Sequence, residues 1–102
     1  MITKVKIDTA TYDISIVSEI IILDGRQCKG SIDYNKNIIK IADFVGESQA
    51  KITLMHEIVH GMVFERGISL DKGDEETIVD ELGKAMLQVI RDNKDLIEYL
   101  GN

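Results

Sequence analysis

Residues 47–67 run ESQAKITLMHEIVHGMVFERG. Ile52, Met55, Ile58, Val59, Met62 and Val63 recur at spacings of three and four, which draws one apolar stripe along an α-helix. The spacing predicts a helix from Glu47 or Ser48 to about Arg66. Gly67 follows as the C-cap, a position that favours a residue free to turn left-handed.

On either side the character of the chain differs. Before residue 44, β-branched residues alternate with polar ones. Val5 and Ile7 alternate with Lys4, Lys6 and Asp8, and Tyr12, Ile14 and Ile16 alternate with Asp13 and Ser15. That alternation predicts a hairpin over Met1 to Val17, turning at Asp8-Thr9-Ala10. Ser18 to Leu23 fits a short helix or a strand equally, and Asp24-Gly25 is a turn. A second hairpin is predicted from Gly30-Ser31-Ile32-Asp33-Tyr34 through Asn35-Lys36-Asn37 to Ile38-Ile39-Lys40-Ile41, because Asn tolerates the left-handed conformation of such a turn. After Gly67, residues 71–73 read as loop and Asp74 as an N-cap. Ile78, Val79, Leu82, Ala85, Met86, Val89 and Ile90 then fall on one face of a further helix. Asn93 interrupts it, and Leu96, Ile97 and Leu100 suit a short terminal helix packing back on the core. We therefore expect an α+β fold in one domain over 1–102, with 1–43 mostly β and 44–102 mostly α.

The predicted helix over 47–66 carries chemistry as well as an apolar stripe. His56-Glu57-Ile58-Val59-His60 is an H-E-x-x-H motif. Residues four apart on a helix stand one turn above each other, offset by about 40°. Two imidazoles placed so can reach one zinc ion at about 2.0–2.1 Å. Glu57 points to the side of that pair, where it can take a proton rather than ligate the metal. Both histidines of the chain lie in the motif. By chance a chain of this length shows the pattern on the order of a few times per thousand. On a helical wheel His56 and His60 sit about 100° from the centre of the apolar stripe, at the edge of the face expected to be buried.

A catalytic zinc takes three protein ligands and leaves one position open. No third histidine exists, and the single cysteine, Cys28, belongs to the strand region. The acidic start of the next helix offers Asp74, Glu75, Glu76, Asp80 and Glu81. Glu76 is preferred, because Glu76, Asp80, Gly83 and Leu87 form a seam beside the apolar stripe, and Gly83 lets two helices approach. Glu75, nearer the centre of the apolar face, is the alternative ligand. Asp80, one turn beyond Glu76, is placed to accept a hydrogen bond from the other nitrogen of His56. The same acids also suit the positive end of the helix dipole, with or without a metal.

Composition excludes other classes. The formal charge is −6, from 18 acidic and 12 basic residues. That lacks the basic face a non-specific nucleic-acid binder or an anionic membrane surface requires. A lone cysteine forms no internal disulfide. The longest apolar run, Ile20 to Leu23, is far too short to span a bilayer, and no signal-like segment opens the chain. A cytoplasmic protein is expected, and its oligomeric state is not legible.

With His56 to His60 followed by Glu76-Thr77-Ile78-Val79-Asp80, the chain resembles the gluzincins, zinc metallopeptidases in which H-E-x-x-H precedes a second helix bearing E-x-x-x-D. In size and order of elements it is similar to the minigluzincins and to the ImmA/IrrE-type metallopeptidases of phages and mobile elements. The resemblance covers about residues 28–92. It implies a minimal zincin-like fold, with a short twisted, mainly antiparallel sheet packed on an active-site helix and a glutamate helix. It implies Zn2+ held by His56, His60 and Glu76, with Glu57 as general base and acid. It also implies an antiparallel edge strand, Gly30 to Tyr34 or Ile38 to Ile41, that pairs with an extended peptide or protein substrate, a repressor-type regulator being one such partner. The interval from His60 to Glu76 is short for that family, and the histidine or tyrosine that stabilises the oxyanion in larger relatives has no aligned counterpart. Tyr34 and Tyr99 are the candidates. The alternative is a zincin-fold binding module with weak or no turnover.

Overall fold

The computed structural model describes residues 2–102 and is α+β; Met1, at the head of the predicted first hairpin, lies outside the described residues. Six strands are followed by three helices: β1 Lys4–Ile7, β2 Ala10–Val17, β3 Ile21–Leu23, β4 Arg26–Cys28, β5 Gly30–Asp33, β6 Ile38–Ala42, α1 Glu47–Glu65, α2 Lys72–Asp92 and α3 Lys94–Gly101.

Both predicted hairpins form. β1 and β2 pair antiparallel from Lys4↔Asp13 to Ile7↔Ala10, so Ala10 belongs to the strand and the turn is Asp8-Thr9, with Asp8 left-handed at φ 55°. β5 and β6 pair antiparallel from Gly30↔Ile41 to Asp33↔Ile38. Their turn is held by Asp33 Oδ1, which accepts from the backbone N–H groups of Asn35 and Lys36 at 2.9 Å each, and Asn37 takes φ 55°. The ambiguous stretch before Asp24 is strand: β3 and β4 form a separate two-stranded hairpin. Asp24 and Gly25, at φ 51° and 75°, supply the pair of positive φ angles a two-residue turn needs.

The main sheet runs β1-β2-β6-β5. Its central pair, β2 with β6, is parallel, from Asp13↔Ile38 to Val17↔Ala42. This order settles which strand lies at the edge. β5 has a neighbour only in β6, whereas β6 is interior, so Ile38 to Ile41 is excluded as the edge strand.

Helix α1 lies between the sheet and α2. One buried cluster, Ile7, Tyr12, Ile14, Ile39, Ile41 and Ile58, joins the sheet to α1. A second, Val59, Val63 and Val79, joins α1 to α2. Tyr12, fully buried, also donates from its hydroxyl to Glu65 Oε2 at 2.6 Å, which pins β2 to the last turn of α1. α1 ends as expected: Gly67 turns left-handed at φ 64°, its N–H donating to Phe64 O and that of Ile68 to Val63 O.

Three expectations are corrected. α2 begins at Lys72, capped by Asp71 rather than Asp74, because the Glu75 N–H already closes a turn on Asp71 O at 2.8 Å. The face of α2 that touches α1 is a narrow seam of Val79 and Gly83 with half-buried Met86. Ile78, Leu82, Val89 and Ile90 point to solvent. α3 does not pack back on the core; all of its residues are exposed. Among the described residues no helix is long and apolar enough to cross a membrane.

Candidate metal centre

The site stands where α1 and α2 cross. A Cβ on Gly83 would lie 3.4 Å from both the Cα and the backbone N of His56, so the absent side chain lets α2 reach contact distance at the H-E-x-x-H turn. That approach carries the carboxylates of α2 to the imidazoles of α1.

Each histidine meets α2 with both ring nitrogens. His56 Nε2 lies 3.5 Å from Glu76 Oε2, and His60 Nε2 lies 2.8 Å from Glu76 Oε1. On the far sides of the rings, His56 Nδ1 lies 3.6 Å from Asp80 Oδ1, and His60 Nδ1 lies 2.7 Å from Glu75 Oε2. Both ring nitrogens of His60 thus face a carboxylate oxygen at hydrogen-bond distance, and the tautomer in which Nδ1–H donates to Glu75 is the one that would free Nε2 for a cation. The rings stand edge to face, 4.8 Å between centroids and 70° between planes.

Donor atoms of His56, His60 and Glu76 all lie within 4.8 Å of one another. A tetrahedral ion with ligands at about 2.0–2.1 Å spaces its donors about 3.3–3.4 Å apart. The two Nε2-to-Glu76 distances, one to each carboxylate oxygen, straddle that spacing. Two imidazoles and one carboxylate, with room beside them, are also the donor chemistry of a catalytic rather than a structural zinc site. The residues fit the ion. Of the two candidate third ligands, Glu76 carries the carboxylate between the Nε2 atoms, and Glu75 stands behind His60 instead.

Glu57 is buried at 7% exposure, beneath β5. The cause is Gly30: a Cβ there would sit 2.6 Å from Thr53 Cγ2, 3.0 Å from Lys40 O and 3.3 Å from Glu57 Oε2. Edge strand and helix therefore meet with only hydrogen between them. Burial pushes the Glu57 carboxyl up to about 7; the nearby His60 opposes that rise and Glu76 adds to it. His56 shifts down, through burial first and then the charge of His60, against the pull of Glu76 and Asp80. Asp80 is lowered mainly by the hydrogen bond from Lys84.

The wheel placed the motif at the edge of a single buried face. Instead His60 and Glu57 are buried and His56 is half-buried. α1 has a second buried face, Thr53, Glu57 and Gly61, turned to the sheet and spaced four apart. None of the three is a large apolar residue, so no hydrophobic period marks that face. Gly61 does the same service as Gly30, a Cβ there reaching within 2.7 Å of Ile7 Cδ1.

A cleft of about 630 Å3 opens over these groups. Gly30, Ile32 and Tyr34 form one rim along β5, the β3–β4 hairpin contributes Leu23 and Cys28, and Leu70 and Lys72 lead into α2. The hairpin tip reaches α2 through Asp24 and Lys72, 3.2 Å apart. Tyr34 stacks on Phe64, with centroids 4.2 Å apart and planes 8° from parallel. Its hydroxyl is pushed up to about 12 by burial and by Glu75, Glu57 and Glu76, so it remains a proton donor at neutral pH. Tyr99, on α3, is 78% exposed and does not line the cleft.

No protein-family model, no curated protein and no solved structure matches this chain.

Proposed function

We infer that the protein is a zinc-dependent metallopeptidase of gluzincin type. The observation that carries this is the convergence of His56 Nε2 and His60 Nε2 on one carboxylate, that of Glu76, at 3.5 and 2.8 Å. Beside them a buried glutamate with an elevated pKa faces a cleft rimmed by an edge strand.

His56, His60 and Glu76 would hold Zn2+, which when bound supplies Lewis acidity, activating a water and polarising a carbonyl. The chain's own groups do the rest. Glu75 and Asp80 fix the two imidazoles so that Nε2 faces inward. β5 presents an unpaired ladder edge to an extended peptide, which aligns the scissile bond along the cleft. Glu57 takes a proton from the attacking water as its oxygen bonds to the carbonyl carbon. It then delivers that proton to the amine as the C–N bond breaks. A carboxyl near pH 7 suits both halves of that exchange. Tyr34, on the rim of the cleft, is the neutral donor available to the carbonyl oxygen. The substrate class is a peptide or an extended protein segment. A repressor-type regulator in a phage or mobile-element setting is the partner the family resemblance suggests.

Elemental analysis tests the metal and a peptide library tests turnover. Stoichiometric zinc in the wild type, lost in Glu76→Ala, is expected together with cleavage abolished in Glu57→Gln. A zinc-free wild type would overturn the assignment. Stoichiometric zinc with no cleavage of any peptide would instead make the protein a zinc-bearing binding module.

A further inference from the structure

The β3–β4 hairpin belongs to neither layer of the fold. It forms its own two-stranded sheet, and neither buried cluster includes one of its residues. Its base is fixed. Ile21 is buried opposite Cys28, and Lys29, the one residue between β4 and β5, accepts at its carbonyl from the Ala42 N–H at 2.8 Å. The arm beyond is loose, with Ile22 and Leu23 58 and 49% exposed. Through Lys29 the hairpin grows directly out of β5, one wall of the cleft, and its tip meets α2, the other wall, at Lys72. It therefore bridges the cleft from rim to rim, and Leu23 and Cys28 line its inner side. Among the described residues one hydrogen bond ties the hairpin to α2. This is the Asp24–Lys72 contact at 3.2 Å, between side chains that are 80 and 87% exposed.

We propose that this hairpin is a strap that selects substrates by shape, lifting from α2 to admit an extended chain and closing over it. The inference rests on the peptidase reading for its occupant, a polypeptide laid along β5, and adds to it a specificity determinant. A folded domain cannot pass beneath the strap, whereas an unfolded segment can. The left-handed pair Asp24 and Gly25 holds the tip in a tight turn, so the arm moves as a unit rather than unravelling. The latch is weak. A single exposed ion pair shifts an equilibrium by only about two- to fivefold, so the strap lifts without help. A bound chain draws it shut only if the closed state gains a contact with that chain. Leu23 supplies the contact, since its half-exposed side chain lies on the cleft side where a segment on β5 would cover it. Burying the bare half of a leucine favours closure by about three- to tenfold.

Cross-linking the tip to α2 tests the strap. Asp24→Cys and Lys72→Cys, with Cys28→Ser to remove the native thiol, are joined by a short bismaleimide. The same protein with both thiols capped by N-ethylmaleimide is the control. Both forms are made metal-free, and fluorescence anisotropy reads their binding of labelled casein, an unstructured chain, and of labelled peptides of about five residues, roughly 17 Å when extended. The control should bind casein at least about tenfold more tightly than the linked form, whereas short peptides, which slip in from the end, should differ by less than about threefold. With Cys28 in place, Lys72→Glu alone should speed casein association by about two- to fivefold, and adding Asp24→Lys should reverse the gain. A linked form that binds casein as well as the control would overturn the proposal. So would cysteines that never link, since tip and α2 would then not meet, and so would a control that binds neither probe. Turnover answers separately. Zinc-loaded protein that cleaves casein equally when linked or capped removes the strap and keeps the peptidase; shape-selective binding without cleavage removes the peptidase and keeps the strap.

Discussion

Glu75 Oε2 lies 2.7 Å from Nδ1 of His60, while the next residue along, Glu76, places Oε1 2.8 Å from Nε2 of the same ring. Two consecutive carboxylates thus grip one imidazole from both sides, and only the second shares its position with His56. The roles of adjacent acids follow from which nitrogen each one faces.

Zinc affinity should therefore fall in a fixed order. Glu76→Ala removes a ligand and should have the largest effect. Glu75→Ala leaves the ligands in place but frees the His60 ring, and should weaken zinc by about 10–100-fold. Asp80→Ala, whose contact with His56 is longer at 3.6 Å, should sit at the lower end of that range or below it. Competition with a chromophoric chelator measures all three. Glu75→Ala as damaging as Glu76→Ala would reverse the assigned roles.

The metal-free protein should carry a pH signature of Glu57. Its carboxyl is raised from 4.5 to about 7 in the fold. A folded pKa above the unfolded one contributes stability that is complete below pH 4.5 and is lost as pH rises through about 7, on the order of 3 kcal/mol in all. His56, shifted down, acts with the opposite sign. The quantity to read is thus the difference in urea stability between wild type and Glu57→Gln, both free of metal. The variant should gain on the wild type steadily between pH 5 and 8. A constant difference across that range would show that Glu57 is not held neutral by burial.

Gly30 should tolerate no side chain. Gly30→Ala drives a methyl into Thr53 Cγ2 and against Lys40 O, at 2.6 and 3.0 Å, which should cost about 1–3 kcal/mol. Removing the Thr53 methyl as well, in Gly30→Ala with Thr53→Ser, should recover part of the loss, since the backbone contact remains. Thermal unfolding of the two single variants and the double gives the coupling. A Gly30→Ala protein as stable as the wild type would mean that β5 is free to lift off α1.

Tyr12 should show itself at high pH. Burial and the hydrogen bond to Glu65 hold its hydroxyl well above the ordinary tyrosine value of 10. The stability this brings is whole below pH 10 and is lost as pH climbs beyond it. Tyr12→Phe should cost about 1.5–3 kcal/mol at neutral pH, the range for a hydrogen bond to a charged group, and should flatten the alkaline decline in stability. Denaturant melts at pH 7 and pH 11 would show both effects, and an unchanged alkaline decline in the variant would point to other groups.

How much of this was legible depended on which physics each residue follows. α1 was readable almost to the residue because apolar periodicity and Gly67 agreed. That His56, His60 and Glu76 would stand together was readable because coordination geometry constrains spacing as tightly as packing does. What escaped had no period to reveal it. The buried face of Thr53, Glu57 and Gly61 looks polar in sequence and is covered because two glycines admit the neighbours. Glu75 meets Nδ1 of His60, which helical position alone does not reveal. On α2 the pattern identified seven apolar positions correctly as a face but not which part of it α1 covers, since one helix offers a narrow seam where a sheet would have covered the whole. The parallel pairing of β2 with β6 had no local signal at all.

That parallel pairing has a consequence for the order in which the molecule assembles. To place Asp13 beside Ile38 the chain must first loop through β3, β4 and β5, a closure across 25 residues before any contact rewards it. His56, His60, Glu75, Glu76 and Asp80 instead lie on two successive helices joined by one short turn, and helical hairpins form early. The candidate ligands can thus come together while the strands are still seeking their partners. Refolding with zinc present should accelerate the docking of α2 on α1 and leave the rate of strand closure unchanged, which pulse-labelled hydrogen exchange can separate amide by amide.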